Sequence, residues 1–207
     1  MPSEVVIPRK SIYRLSIYQR CLERLRENDV ETVSSSALAK AAGVKPTQLR
    51  KDLAHFGQFG TRGLGYNVGA LNEVITGVLG TNSLQPVILV GVGNLGAALS
   101  RYGGFSKEGF EISAAFEANP ERCEKVRAGI PVLPAEQMAS FVRAHSVKMA
   151  ILAVPAEAAQ EVANELVLAG VQAILNFSPT LLKVPDHVIV NSVDLALELE
   201  QLSYFVK

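Results

Sequence analysis

The sequence predicts an α/β chain built in two parts, a small helical domain followed by a larger domain around a parallel sheet. Three observations carry this. Residues 86–99, PVILVGVGNLGAAL, form an apolar run that breaks at three glycines and resumes with helical spacing. Ahead of them, helical patterns meet at a glycine and lead into residues 57–66, which hold four glycines in ten positions. Behind them, short apolar segments alternate with helical ones, the pattern of a doubly wound parallel sheet.

Taken in order, residues 10–28 place Ile12, Leu15, Tyr18, Leu22 and Leu25 three and four apart, which predicts one helix with a single apolar stripe. Ser34, Ser35 and Ser36 offer N-caps for a second helix through Ala42, and Gly43 follows as its terminator. Pro46 suits the first turn of a third helix, expected over 46–56. Leu49, Leu53 and Phe56 share one face of it, and Thr47, Gln48, Arg50, Lys51 and His55 lie away from that face. Helix, glycine turn, helix with a polar outer face is the helix-turn-helix layout, whose second helix enters the major groove of DNA. The segment 57–66 that follows is read as a β-hairpin, the wing of a winged helix-turn-helix. Arg62 at its tip would reach a minor groove, beside Gly63, which permits close backbone approach. A plain connector is the other reading of these glycines. Charge agrees with DNA: residues 40–62 carry five basic side chains, Lys45 among them, against one acid, Asp52. A short helical pattern then leads to the polar break GTNS at 80–83.

In the second part, Val87, Ile88, Leu89 and Val90 read as a buried parallel strand. Gly91, Gly93 and Gly96 then give the spacing G-x-G-x-x-G, with Val92, Asn94 and Leu95 between them. The first glycine makes a tight turn, the second lets backbone approach a pyrophosphate, and the third lets helix pack on strand. The phosphates would rest on the first N–H groups of a helix beginning near Asn94. A second strand at 112–116 ends at Glu117, placed to accept hydrogen bonds from ribose hydroxyls and to repel a 2′-phosphate, which favours NAD over NADP. A solvated acid at a strand end is the alternative. Further strands are expected at 148–154, 171–175 and 188–190, with a helix over 156–169. The crevice of a Rossmann-type sheet lies beyond its carboxyl ends, so Ala153, Val154, Pro155, Asn176, Phe177 and Ser178 should face the dinucleotide. A C-terminal helix over 194–207 carries Leu195, Leu199, Leu202 and Val206 on one stripe, with Asp194 or Ser192 as its cap. Packing on its own sheet and docking on a partner subunit are both open to it.

The composition leaves room for two packed cores, with 48% hydrophobic and 19% charged residues. Formal charge sums to zero but is divided, with 11 basic and 7 acidic residues in 1–80 against 9 and 13 in 81–207. No apolar run approaches the roughly 18 residues of a membrane span, and the segment MPSE at the start opens no signal peptide. A cytoplasmic protein without membrane partner is therefore expected. Cys21 and Cys123 fit no metal or redox spacing and are read as reduced thiols, with no metal site. The expected domains are 1–80, 81–192 and a closing helix over 193–207.

RKDLAHFGQFGTRGLGYNV at 50–68, GVGNLG at 91–96, ILNFSP at 174–179 and DLALELEQLSYF at 194–205, in this order, resemble the Rex family of redox-sensing bacterial transcriptional repressors. The resemblance covers nearly the whole chain. It implies a homodimer with winged-helix domains on operator DNA and Rossmann domains that bind NAD(H), with the C-terminal helix exchanged between subunits. It implies repression when NADH is scarce and release when the NADH/NAD ratio rises. On the same ground Arg50 and Lys51 would contact the operator from the recognition helix and Arg62 from the wing. Residues 91–96 would hold the pyrophosphate, Tyr102 and Phe177 would lie near the nicotinamide, and the Asp194 region would come from the partner. Glu117 stands where members usually carry aspartate, and Ala54-His55 where a Ser-Tyr pair is more familiar.

Two other classes compete. An NAD-dependent oxidoreductase needs a substrate domain and a proton donor or base near the nicotinamide. The chain after Gly96 is used up in completing the sheet, it contains no Tyr-x-x-x-Lys, and His55, His145 and His187 mark no dyad. No catalytic residue is assigned. A binding module for another nucleotide, such as coenzyme A, is the third reading.

Overall fold

A computed structural model describes residues 7–60, 64–119, 121–122 and 129–206. Arg62, Gly63 and Cys123 lie outside the described residues. The chain divides into two compact units, Met1–Ser83 and Leu84–Lys207.

The first unit runs α1 (Arg9–Glu27), β1 (Thr32–Val33), α2 (Ser35–Ala41), α3 (Pro46–Ala54), β2 (Tyr66–Asn67) and α4 (Val68–Leu79). Leu15, Tyr18 and Leu22 of α1 are fully buried against Leu38, Leu49, Leu53, Leu71 and Ile75. Ile12 departs from the expected stripe and stands 36% exposed. Ser34 caps α2 by accepting the Ala37 N–H at 3.0 Å, and Asn67 does the same for α4 with Ala70 at 2.9 Å. The third helix ends at Ala54 with His55 as its C-cap, earlier than expected, and Phe56 packs on the core from beyond it.

The wing departs from the sequence reading. Residues 57–60 form no strand, and β2 at the end of the segment pairs antiparallel with β1, Val33 opposite Tyr66. Gly65 explains the choice of partner. Its backbone, at φ +82°, lies against Val33 so closely that a Cβ would fall on the Val33 carbonyl oxygen. Only glycine crosses there.

The second unit holds six parallel strands, β3 (Gln85–Val90), β4 (Phe110–Glu117), β5 (Val132–Pro134), β6 (Met149–Leu152), β7 (Ala173–Asn176) and β8 (Ile189–Ser192), in the order β5-β4-β3-β6-β7-β8. Strand side chains alternate between two layers. Ile88, Val90, Ala114, Phe116, Ala150 and Leu152 pack on one face with Met138 and Val142 of α7 (Met138–Ala144) and Ala159, Ala163 and Leu166 of α8 (Ala156–Ala169). Burying Phe116 or Leu152 fully contributes about 2 kcal/mol each. Val87, Leu89, Ala115 and Ile151 face the other layer with Val92 and Leu99, where α5 (Asn94–Ser100) and α6 (Gly104–Lys107) follow β3.

The last helix, α9 (Leu195–Phe205), is capped by Asp194, whose Oδ1 accepts from Ala196 N at 3.0 Å and Leu197 N at 3.2 Å. None of its residues is buried; Leu195, Leu199 and Leu202 stand 62%, 67% and 61% exposed. It does not pack its stripe on its own sheet. No helix among the described residues is long and apolar enough to cross a membrane.

Candidate dinucleotide site and nucleic-acid interface

In this strand order the connections after β3 and β6 run to opposite sides, and the crevice between their carboxyl ends is where an open α/β sheet takes its ligand. The glycine turn occupies it. Gly91, at φ +90°, donates its N–H to Phe116 O at 2.8 Å, and a Cβ there would stand 2.6 Å from Ala153 O. A Cβ at Gly96 would fall on Gly91 O, so both positions are closed to any side chain. Gly93 differs, since a Cβ there meets nothing within 4 Å. The open space lies at the start of α5, where Gly93 is the N-cap and no side chain caps the helix. Two glycines thus shape the turn, and the middle one leaves room for a group close to backbone N–H donors.

Glu117 reaches the turn from the end of β4. Its Oε2 accepts the Val92 N–H at 2.8 Å and its Oε1 that of Asn119 at 2.9 Å. A carboxylate has about four acceptor positions, so this staple leaves capacity for a ligand's hydroxyls. Asn94 and Leu95 are exposed at the mouth, and Val92 is buried beneath it.

The far wall is built by residues after β6 and β7. Ala153 donates its N–H to Val90 O at 2.8 Å, and Val154 O accepts the Ser178 hydroxyl at 2.6 Å. Pro155 caps α8 at the exposed end of this wall. Two expectations need correction here. Asn176 and Ser178 are buried, and their side chains bond within the protein, Asn176 Oδ1 to Ser178 N at 2.9 Å. They fix the shape of the wall and present no free polar group to the crevice. Phe177, half-buried, packs on the layer containing Leu89 and Ile151. Asn176 turns inward to Ser178, Thr180 and Ser192, the last on β8, and Ser178 turns to the Val154 carbonyl beyond β6. Tyr102 is 60% exposed beyond α5, with its ring edge-on to Phe105 at 5.1 Å.

In the first unit, Thr47, Arg50 and Lys51 of α3 are exposed, with Lys45 at its N-cap. Arg50 reaches across to α2, donating to Ser35 Oγ at 3.1 Å. Gln48 is the exception on the expected reading face: its Nε2 donates to Asp52 Oδ1 at 3.0 Å, so its amide serves the helix's own anchoring. Asp52 is fully buried and also accepts from Arg14 Nε at 2.6 Å, Arg14 Nη2 at 2.7 Å, Tyr18 OH at 2.8 Å and Ser11 Oγ at 3.0 Å. Burial by itself would raise this carboxyl's pKa, but the bonds from Arg14, Tyr18, Gln48 and Ser11 outweigh it and hold it at about 2. The same burial and the facing carboxylate push the Tyr18 phenol up. Sequence reasoning counted Asp52 as one acid in a basic stretch. Its position on the apolar face, beside Leu49 and Leu53, was the available sign of a buried anchor.

Residues 82–180 match the family of CoA binding domains, and residues 6–54 match that of putative DNA-binding protein N-termini. The chain is 48% identical over 198 residues to the redox-sensing transcriptional repressor Rex of Pelotomaculum thermopropionicum, across 96% of this chain and 93% of that one. It is 47% identical over 201 residues to the repressor of the same name from Carboxydothermus hydrogenoformans, across 97% of each. Among solved structures, the repressor RSP in complex with β-NAD+ and operator DNA matches with a TM-score of 0.91 at 38% identity, over 98% of this chain and 94% of that one. RSP with β-NADH matches at 0.86 and 37% identity, over 98% and 95%. A shared sequence over nearly the full length, in both units, means that the chain belongs to the Rex family of redox-sensing transcriptional repressors.

Proposed function

We propose that this chain works as a cytoplasmic homodimer that holds operator DNA through its first unit, binds NAD(H) in the crevice of its second, and leaves the operator when the NADH/NAD ratio rises. The observation that carries the reading is the pairing of Gly93, open to a phosphate, with the stapled Glu117 carboxylate on the far side of the same turn. The pyrophosphate lies against residues 91–96 and the start of α5, and the adenosine ribose hydroxyls bond the remaining acceptor positions of Glu117. A 2′-phosphate is repelled there, so NADPH binds more weakly than NADH. Tyr102 lines the nicotinamide end with Phe177. Lys45, Thr47, Arg50 and Lys51 meet the major groove, and Arg62 with Gly63 enters the minor groove. Asp194 and the Leu195, Leu199, Leu202 stripe of α9 cross to the partner subunit, where the exposed leucines find cover. NADH acts by linkage. It shifts the dimer only by the difference between its affinities for the operator-bound and released forms, which moves two recognition helices out of register with half-sites about 34 Å apart.

A duplex recovered by this protein from a random-sequence pool serves as the operator. Bound at fixed salt, it should be released by NADH and not by equal NAD+; retention at saturating NADH overturns the reading. The match of 82–180 to CoA binding domains supports a second reading, coenzyme A in the same crevice. Its ribose phosphate would meet Glu117, so coenzyme A should neither quench bound NADH fluorescence nor release the duplex.

A further inference from the structure

Asn176 ends β7 with no exposed surface, and both ends of its amide are bonded. Oδ1 accepts the Ser178 N–H at 2.9 Å, and Nδ2 donates to Thr180 O at 2.9 Å and, at 3.3 Å each, to Ser178 O and Ser192 Oγ. Its backbone oxygen accepts from Val193 N at 2.8 Å. A strand-end turn needs only the acceptor, a task that aspartate or serine performs as well. The donor is the informative half. It spans from the crevice wall, at the Ser178 and Thr180 carbonyls, to Ser192, while the backbone oxygen of Asn176 holds Val193 N, and the next residue is Asp194, the cap of α9.

From the wall the bonds continue toward the ligand: Ser178 Oγ to Val154 O at 2.6 Å, then Ala153 N to Val90 O at 2.8 Å, where Ala153 O abuts Gly91. The glycine turn, the wall and the root of α9 are therefore joined by a run of hydrogen bonds in which one buried amide links the wall to Ser192. We infer that Asn176 is a positioning residue that transmits the state of the nicotinamide end of the crevice to α9, through its donor bonds to the 177–180 wall and to Ser192. The inference rests on the sensor reading above. Nδ2 shares two N–H groups among three acceptors, so a shift of the wall by the bound nucleotide changes how the donor is divided and with it the hold on Ser192.

The test is a coupling measurement on the full-length protein, because a chain of contacts alone does not establish coupling. The NADH dissociation constant is read by cofactor fluorescence with and without saturating selected duplex. The ratio is the coupling factor, and duplex affinity with and without NADH must return the same value. Ser192→Ala should lower the factor about threefold and Asn176→Ala about tenfold. Ser192→Thr, which keeps the hydroxyl, should restore it, an outcome that a merely structural serine does not give. Duplex affinity without nucleotide should be unchanged in Ser192→Ala. Wild-type coupling in both alanine variants overturns the inference; if Asn176→Ala does not fold, the Ser192 pair decides by itself. A wild-type factor of one overturns the sensor reading and this inference together, whereas a coupled wild type with equally coupled variants removes the inference alone.

Discussion

Gly93 and Gly96 sit three residues apart in one turn yet answer to different constraints. Gly96 is closed by the Gly91 carbonyl, so Gly96→Ala should cost about 3 kcal/mol of stability through forced overpacking. Gly93 has free space and an ordinary φ of −59°, so Gly93→Ala should change stability by less than about 0.5 kcal/mol. The added methyl occupies the space assigned to the pyrophosphate, so NADH binding should still weaken by about tenfold or more. Thermal melts with and without NADH check the pair, and an unweakened Gly93→Ala would place the phosphates elsewhere. The turn was readable from sequence because its chemistry is local: three glycines, a strand before and a helix after. The inward orientation of Asn176 and Ser178 was not, since their partners Ser192 and Val154 lie 16 and 24 positions away and are brought together by the fold.

At the next scale, α3 is held by α1 through charge. Asp52 at about 2 lies below the ordinary carboxylate value of 3.8, so its contribution, about 2 kcal/mol, is fully present above pH 4 and is lost as the pH falls toward 2. Denaturant melts of the wild type should lose stability across that window more steeply than those of Asp52→Asn; parallel slopes would locate the acid sensitivity in other carboxylates. On the outer side of the same helix, Lys51 is exposed. Lys51→Ala should weaken operator binding and reduce the salt slope by about one unit if the contact is to phosphate. An unchanged slope with weaker binding would indicate a base contact. Long periodic elements such as α1 were legible in the sequence. The three-residue β5 was not, being too short to show a period, and the pairing of β2 with β1 joins residues over thirty positions apart, beyond any local pattern.

For the whole molecule, the decisive element is the one with no cover. An 11-residue helix with Leu195, Leu199 and Leu202 more than half exposed, and none of its residues buried, is stable in water chiefly through contacts made to another surface. In the proposed dimer, association through α9 would stabilise the chain by mass action, and the melting temperature of the wild type should rise with protein concentration. Leu199→Glu with Leu202→Glu should abolish that dependence and give a monomer on sedimentation; a dimer in this variant would assign the interface to another surface. The stripe was visible in the sequence, but which of two surfaces it meets was not, because amphipathicity names a face and leaves its partner open.

That uncovered helix also has a genetic consequence. Subunits that associate through α9 mix without regard to the state of their other unit. A chain with α9 intact and its recognition helix disabled by Arg50→Ala and Lys51→Ala should draw wild-type subunits into one-handed dimers. Expressed beside the wild type it acts as a dominant poison of repression, and the same chain carrying the two glutamates in α9 is harmless.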